Sequence, residues 1–379
     1  MQPICVIAGE NSGDKHGAGL IRQFKKKNPS RRFYGIGGVK MEAEGVELLY
    51  TVSDLSIMGL FELFSHLPRL KRIFNRIKLE IRRRKPAAAL LIDSPDFNLR
   101  VAKVFKKNSV PVLYYIGPTV WAWRKGRLKT IKKYVDRMML IFPFEEAIYR
   151  ESGVDGVYVG HPLCEGITLP LSRETFRIKH RLNPDKKTIC LMPGSRKSEI
   201  EYHMPVLMNA AQKISEEFSM ECILVLAEGL DEALIRRHMP SSLRDFHIAK
   251  EDRYECMAFS DLILTSCGTA NLEAALLGTP FISFYRISPW SYRFGLPFIK
   301  TRTYSIVNIL AGKRIVPELI QAQFTAERLF DEAKIILESE TLQDEMRLQF
   351  RKIKENLGTK RSSENAAGEL ERLLENGQQ

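Results

Sequence analysis

The sequence predicts an α/β protein built from two doubly wound parallel domains that face each other across a cleft. Short apolar runs typical of buried strands alternate with helical segments along both halves of the 379-residue chain. Each half begins in the same way, with a buried strand that runs into a glycine-containing loop. Because strand–helix–strand connections are right-handed and pack back on the sheet, each half is expected to form its own parallel sheet.

The first half carries six predicted strands, separated by segments with helical periodicity. The strands fall at residues 4–8, 32–38, 87–93, 110–116, 137–142 and 157–160. Helices are predicted from residue 20 onward and at 41–45, 55–85, 99–107, 125–133 and 144–151. Proline lacks the N–H that a helix needs, so Pro68 is expected to break or kink the long segment 55–85.

The second half repeats the pattern and ends in a helical tail. Its strands are predicted at residues 188–192, 222–227, 246–249, 260–264 and 280–285, with a helix at 204–217. The resulting organisation is a first domain at 1–165, a connection at 166–187, a second domain at 188–340 and a tail at 341–379. The tail is expected to pack back on an N-terminal domain.

Composition places the chain among ordinary globular proteins. It is 44% hydrophobic and 27% charged, and its six cysteines show neither metal-ligand spacing nor a disulfide framework. No apolar run is long enough to cross a membrane, and the first strand starts too early for a signal peptide. We therefore expect a cytoplasmic protein with reduced cysteines.

The net positive charge of the chain comes entirely from its first half. Residues 1–165 hold 29 Lys and Arg against 16 Asp and Glu, whereas residues 166–379 hold 29 of each. This asymmetry indicates an anionic partner for one domain only, which is nucleic acid, an acidic membrane surface or a phosphorylated substrate.

The segment 58–85 combines an apolar stripe with a basic cluster. Nine of the residues from Arg69 to Lys85 are basic and one is acidic. Two structures fit: an amphipathic helix that packs on the sheet, or a helix that presses on an anionic bilayer. Phenylalanines beside the basic cluster favour the second, and the predicted membrane- or acyl-facing residues are Leu60, Phe61, Leu63, Phe64, Leu67 and Leu70.

Polar residues gather where predicted strands end, which is where open α/β sheets bind ligands. The run 88–92 ends in Asp93-Ser94-Pro95-Asp96-Phe97-Asn98, and the first strand ends in a loop containing Glu10 and Ser12. Asp, Ser, Pro and Asn are also ordinary turn residues, so turn chemistry is the competing explanation for the first of these sequences.

The second half offers features suited to a nucleoside diphosphate. Residues 266–273 form a small-residue loop that enters a helix, where backbone N–H groups and the helix dipole favour phosphate. Glu273 is positioned to accept hydrogen bonds from ribose hydroxyls. Gly194-Ser195-Arg196 follows another strand and supplies a cation for phosphate or leaving-group charge.

Several motifs together resemble the lipid-A-disaccharide synthases over almost the whole chain. They include Gly-Glu-Asn-Ser-Gly-Asp from residue 9, Ile-Asp-Ser-Pro-Asp-Phe-Asn from 92, Pro-Thr-Val-Trp-Ala-Trp-Arg from 118 and Gly-His-Pro from 160. Leu-Met-Pro-Gly-Ser-Arg from 191, Ser-Cys-Gly-Thr-Ala-Asn-Leu-Glu from 266 and Val-Asn-Ile-Leu-Ala-Gly from 307 continue the series. Asn11 and Thr119 depart from the residues usual in that family.

The resemblance implies a GT-B glycosyltransferase that needs no metal or other cofactor. It would join UDP-2,3-diacylglucosamine to 2,3-diacylglucosamine 1-phosphate with inversion, giving a β(1→6) disaccharide and UDP. The partners implied are these two glycolipids and the anionic inner-membrane surface, with no nucleic acid. A homodimer is implied as well.

Roles for individual residues follow from the resemblance and the strand-end positions. Asp93 is the predicted general base, with Asp96 as the second candidate, and Glu10, Ser12 and Asn98 as supporting residues. Arg196 is predicted to stabilise the leaving diphosphate. The predicted UDP-binding residues are Gly194, Ser195, Ser266, Gly268, Thr269, Ala270, Glu273 and Asn308.

Two other functions compete with this prediction. One is a different UDP-sugar enzyme of the GT-B class, such as a UDP-GlcNAc epimerase or a peptidoglycan glycosyltransferase, although these lack the sequences around Asp93 and Trp121. The other is a non-enzymatic protein that binds nucleic acid or membrane, for which polar residues at strand ends have no purpose.

Overall fold

A computed structural model describes residues 1–55, 62–121, 126–239, 246–289, 292–293 and 303–376, without the side chains of 62–67 and 376. The chain divides into two compact units. Unit 1 consists of Met1–Glu165 and Leu357–Gln379, and unit 2 consists of Gly166–Asn356. Each unit is a parallel α/β sheet covered by helices, which confirms the predicted fold class.

Unit 1 is organised around a seven-stranded parallel sheet in the order β3-β2-β1-β4-β5-β6-β7. Its strands are β1 (Ile4–Ala8), β2 (Phe33–Gly37), β3 (Val46–Thr51), β4 (Ala88–Ile92), β5 (Val112–Tyr115), β6 (Arg137–Leu140) and β7 (Gly156–Tyr158). Strands β1 and β4 are fully buried, as their apolar sequences predict. The order reverses between β1 and β4, which makes this the point where an open α/β sheet binds ligands.

The helices that cover this sheet begin after the strand ends. They are α1 (Asn11–Lys27), α2 (Val39–Ala43), α3 (Val52–Leu55), α4 (Glu62–Arg84), α5 (Pro95–Lys107), α6 (Arg127–Tyr134), α7 (Glu145–Glu151) and α8 (Leu163–Gly166). Helix α4 continues through Pro68 instead of ending there. Its stripe of Ile73, Ile77 and Ile81 is buried in the core, and this packing outweighs the hydrogen bond that proline removes.

Unit 2 repeats the design with a six-stranded parallel sheet in the order β10-β9-β8-β11-β12-β13. The strands are β8 (Thr188–Met192), β9 (Glu221–Val225), β10 (His247–Ala249), β11 (Leu262–Ser266), β12 (Phe281–Tyr285) and β13 (Glu318–Ile320). Its helices are α9 (Arg173–Lys179), α10 (Lys197–Phe218), α11 (Glu232–Arg236), α12 (Arg253–Ala258), α13 (Thr269–Leu277), α14 (Ile306–Ala311), α15 (Ala326–Glu338) and α16 (Glu340–Leu357). Here the order reverses between β8 and β11.

The C-terminal segment returns to unit 1 later than the sequence boundary at 341. Helix α16 belongs to unit 2 up to residue 356, where Phe350 is buried and stacks on Phe281 of β12. The last helix, α17 (Ser362–Asn376), packs on unit 1. Ser362 and Tyr115 share a hydrogen bond of 2.6 Å between their hydroxyl oxygens, and Ser363 N–H donates to Glu165 at 2.9 Å.

Candidate functional site

In unit 1 the ends of β1, β4 and β5 lie side by side. The register pairs Ala8 with Ile92 and Ile92 with Tyr115, so the loops that follow these strands leave the sheet at one level. Asp93 is the first residue after β4, and Glu10 lies two residues after β1. The sheet therefore brings two predicted site residues together at its switch point.

The backbone holds Asp93 in a conformation that few side chains accept. Its φ is +51° and that of Ser94 is +45°, a left-handed turn that Asp and Asn tolerate better than most residues. The Asp93 carbonyl accepts hydrogen bonds from Tyr114 Oη at 2.6 Å and from Asn98 Nδ2 at 2.8 Å. Asn98 is fully buried and contacts the Asp93 backbone, and its supporting role in the reaction stays a prediction.

The environment of the Asp93 carboxyl group favours its protonated form. Burial and the nearby charge of Glu10 raise its pKa from 3.8 to about 6, against a lowering hydrogen bond from Ser94 N–H. The loop after β1 lies so close to the loop after β4 that a Cβ added to Gly9 would come within 1.8 Å of Ser94 Oγ. A carboxylate with a pKa near neutrality is suited to take a proton from a substrate.

The other acidic residues of this region have different surroundings. Asp96 is 72% exposed and pairs with Arg127 at 2.5 Å. Asp14 is buried and accepts hydrogen bonds from the backbone N–H groups of Gly38, Lys40 and Met41 at the start of α2. Asp14 therefore caps a helix. Ser12 is exposed on the first turn of α1.

A buried carboxyl group that sequence reasoning missed lies under the loop after β5. Glu145 accepts a hydrogen bond from Trp121 Nε1 at 3.1 Å and one from Phe142 N–H at 3.2 Å. Burial raises the pKa of Glu145 to about 7, against these hydrogen bonds. Trp121 also packs edge-on against Phe142 and Phe144. Glu145 thus anchors the first tryptophan of the Trp-Ala-Trp-Arg motif, whose remaining residues lie outside the described ranges.

In unit 2 the predicted diphosphate loops follow the neighbouring strands β8 and β11. Gly194 has φ +131°, and a Cβ there would lie 2.5 Å from Glu199 Oε2. The same oxygen accepts hydrogen bonds from the N–H groups of Ser195 at 2.9 Å and Arg196 at 3.3 Å. Glu199 therefore shapes the loop, while the Arg196 side chain remains 62% exposed.

The loop after β11 presents the start of α13. Gly268 precedes the helix without a side-chain cap, and Gly268 and Thr269 are exposed. Asn271 is buried and fixes the loop from inside, because its Nδ2 donates to the Ser266 carbonyl at 3.1 Å. Backbone N–H groups at this end of α13, including that of Ala270, suit an anion.

Glu273 and Asn308 lie deeper than their predicted roles suggest. Glu273 is buried, forms an ion pair with Arg253 and accepts a 3.5 Å hydrogen bond from Tyr254 Oη. The Asn308 amide donates to Val316 O and Glu318 Oε1 and accepts from the N–H groups of Ile315 and Val316. These contacts occupy the whole amide, so the structure gives Asn308 a role in holding its own loop, and its contact with UDP stays a prediction.

Most of the predicted membrane-facing residues, or their side chains, lie outside the part of the chain that the structure describes. Leu60 and Phe61 lie outside the described ranges, as do the side chains of Leu63, Phe64 and Leu67. Leu70 is half-buried and packs against the core of unit 1. Among the described residues no helix is long and apolar enough to cross a membrane, and no three His, Cys, Asp or Glu gather as metal ligands.

Comparison with known proteins identifies relatives along the full chain. A family model described as lipid-A-disaccharide synthetase matches residues 4–370. The lipid-A-disaccharide synthase of Geobacter sulfurreducens is 38% identical, with 98% of this chain and 97% of the relative covered. The lipid-A-disaccharide synthase of Syntrophus aciditrophicus is 40% identical, with 96% of each chain covered.

Solved structures with low sequence identity share the fold. The UDP-GlcNAc 2-epimerase of Neisseria meningitidis bound to UDP-GlcNAc superposes with a TM-score of 0.64 at 12% identity, covering 99% of this chain and 100% of the epimerase. CalG4, the calicheamicin glycosyltransferase, gives a TM-score of 0.60 at 14% identity, covering 99% and 98%. These similarities support the GT-B fold.

Proposed function

The chain belongs to the lipid-A-disaccharide synthetase family and is a glycosyltransferase that forms the lipid A disaccharide. We propose that its two units have separate roles in this reaction. Unit 1 binds the glycolipid acceptor, and Asp93 is its general base. Unit 2 binds the UDP moiety of the sugar-nucleotide donor through the loops after β8 and β11. The proposed donor is UDP-2,3-diacylglucosamine, and the proposed acceptor is 2,3-diacylglucosamine 1-phosphate.

The chemistry is a single displacement with inversion. The Asp93 carboxylate takes the proton of the acceptor 6-hydroxyl while that oxygen attacks the anomeric carbon of the donor. The bond from this carbon to the diphosphate breaks, and its electron pair leaves with UDP. The observation that carries this proposal is Asp93 itself, which lies at the switch point of unit 1 with a pKa raised to about 6.

The leaving group requires positive charge in unit 2. Arg196 supplies an exposed guanidinium at the end of β8, 3.5 Å from Glu199 Oε1, and the N-terminus of α13 supplies backbone N–H groups. These groups support a reaction without a metal ion, since a cation beside the departing diphosphate is already part of the chain. Activity that persists after treatment with EDTA is the expected result.

Product analysis tests the proposed reaction. Purified protein incubated with the two diacylglucosamine substrates is expected to release UDP and a disaccharide 1-phosphate with the mass of both acylated sugars. The proton spectrum of the new linkage is expected to show the β configuration. Hydrolysis or epimerisation of the UDP-sugar without disaccharide would instead support another enzyme of the GT-B class.

Glu273 gives a test of the donor site. Replacing Glu273 with Ala is expected to weaken UDP binding roughly tenfold by calorimetry, because its carboxylate is the proposed ribose acceptor. The change also leaves Arg253 without its partner, so Arg253→Ala is the matched control. UDP affinity that is unchanged in Glu273→Ala, or lost equally in both variants, would remove the ribose contact from the proposal.

The outward face of α4 supports association with the cytoplasmic surface of the inner membrane. Lys71, Arg72, Lys78 and Arg82 are exposed on this helix, and none forms an ion pair with another described residue. Leu79 lies among them and is 55% exposed. Both proposed substrates carry acyl chains, so access to a bilayer surface is required for the reaction.

The resemblance also supports a homodimer, which sedimentation of the purified protein measures.

Charge removal on α4 is expected to weaken binding to anionic vesicles. Replacing Lys71, Arg72, Lys78 and Arg82 with Gln should lower partitioning to phosphatidylglycerol vesicles roughly 10²–10³-fold, at about 1 kcal/mol per basic residue. The control replaces Lys187, Arg351, Lys352 and Lys354, four exposed basic residues of unit 2, with Gln. Equal binding by both variants at low salt would contradict a membrane role for α4.

A further inference from the structure

His203 connects two loops at the donor side of unit 2. It lies in the second turn of α10, is fully buried, and contacts no proposed substrate group. Its Nδ1 lies 2.6 Å from the Pro193 carbonyl oxygen, at the exit of β8. Its Nε2 accepts the N–H of Arg286 at 2.9 Å, at the exit of β12. Because β11 separates these two strands in the sheet, the imidazole links the loops on both sides of the proposed phosphate loop.

The hydrogen bonds assign one neutral tautomer to this imidazole. Nδ1 carries the hydrogen that Pro193 O accepts, because its partner is a carbonyl oxygen 2.6 Å away. Nε2 lies 2.9 Å from the backbone nitrogen of Arg286 and 3.1 Å from the Arg286 carbonyl oxygen, and as the unprotonated nitrogen it accepts from the nearer N–H. Burial lowers the pKa of His203, in agreement with a neutral ring, although the hydrogen bond to Pro193 O and the charge of nearby Glu199 act in the opposite direction. Phe284 and Phe324 pack against the ring, whose orientation is set by its two hydrogen bonds.

The loop that His203 holds leads directly to the exposed cation. Pro193 precedes Gly194, whose φ of +131° requires glycine, and Arg196 follows two residues later. Glu199, on the same helix as His203, accepts the N–H groups of Ser195 and Arg196. The loop is therefore fixed at both ends from α10, by His203 at its start and by Glu199 at its end.

We propose that His203 is a positioning residue for the donor diphosphate: by holding Pro193 and Arg286, it sets the loop that carries Arg196. This inference rests on the proposed function, because it assumes that unit 2 binds the diphosphate. It predicts that loss of the His203 hydrogen bonds lowers only the binding affinity that the phosphates of UDP contribute. The proposed ribose contact of Glu273 does not depend on the hydrogen bond to Pro193, so affinity for uridine should not change. A residue that merely fills the core would not produce that selectivity.

The experiment compares UDP with uridine in two polar replacements. Asn places an amide N–H near the Nδ1 position, whereas Gln places it near Nε2. His203→Gln is expected to lower UDP affinity and kcat/KM roughly tenfold and to leave uridine affinity unchanged, while His203→Asn retains most of both. Phe324→Leu, which removes packing beside His203 without removing its hydrogen bonds, is the control for lost stability and should keep the preference for UDP.

A double-mutant cycle shows whether His203 acts through Arg196. In the Arg196→Ala background, the further effect of His203→Gln on kcat/KM is expected to shrink to less than about twofold. A tenfold effect in both backgrounds, or equal loss of UDP and uridine binding, would overturn the positioning role. If the wild type binds uridine as tightly as UDP, the proposed donor site fails instead, so the two failures are distinguishable.

Discussion

Replacing Asp93 with Asn is expected to lower turnover roughly 10²–10⁴-fold while UDP affinity stays at the wild-type level. Asn keeps the shape of the side chain and tolerates the left-handed backbone at this position, where φ is +51°. It cannot accept the proton of the acceptor hydroxyl. Steady-state kinetics and UDP calorimetry on the same preparation measure the two effects, and near-wild-type turnover would refute Asp93 as the base.

The same variant is expected to be more stable than the wild type at neutral pH. Asp93 ionises near pH 3.8 in the unfolded chain and near 6 in the folded one, so stability falls as pH rises through this window. Two pKa units correspond to about 3 kcal/mol, which Asn should recover above pH 6 and not below pH 4. Asp96→Asn is the matched control, since Asp96 is 72% exposed and the loss of its ion pair with Arg127 should change stability by only about 1 kcal/mol.

Replacing Arg196 with Ala is expected to lower kcat roughly 10²–10³-fold with a smaller change in UDP affinity. Its side chain is 62% exposed and its ion pair with Glu199 is long, at 3.5 Å, so it contributes little to the stability of the folded state. The loss should therefore appear in the transition state, where charge develops on the diphosphate. Measurement of kcat and of KM for the donor separates the effect on turnover from the effect on donor binding.

Two further variants define the Arg196 effect. Arg196→Lys keeps the charge without the planar fork, and partial activity is expected. Arg237, which is also about half-exposed in unit 2 and pairs with Glu201, provides a neutral control as Arg237→Ala. An Arg196→Ala enzyme that loses only donor affinity, with kcat intact, would assign Arg196 to ground-state binding.

Sequence pattern predicted the central strands better than the edges of each sheet. Strands β1, β4 and β8 are continuous apolar runs because both of their faces are buried. Strand β3 lies at the edge of unit 1 and is mostly half-exposed, and the charged Glu47 interrupts its apolar run. The three-residue β13, at the edge of unit 2, is too short to show a period.

Site residues that follow strands were predictable, and their partners were not. The position of Asp93 after a buried run follows from local sequence, whereas its proximity to Glu10 depends on the pairing of β1 with β4. The contacts of Glu145 with Trp121 and of Arg253 with Glu273 likewise join residues about 20 positions apart. A burial pattern along one segment carries no information about such pairs. Sequence pattern places His203 among the polar residues of an amphipathic helix and does not predict its contacts with Pro193 and Arg286.

The pH dependence of kcat/KM tests most directly whether Asp93 is the base. For the wild type we expect a tenfold fall per pH unit below about pH 6, where Asp93 becomes protonated. The acceptor phosphate also titrates near pH 6, so the wild-type profile alone does not identify the group. Glu10→Gln removes a charge that raises the pKa of Asp93 and leaves the substrate unchanged. The account predicts that the acid limb of Glu10→Gln moves to lower pH, and a limb that stays at the wild-type position would contradict it.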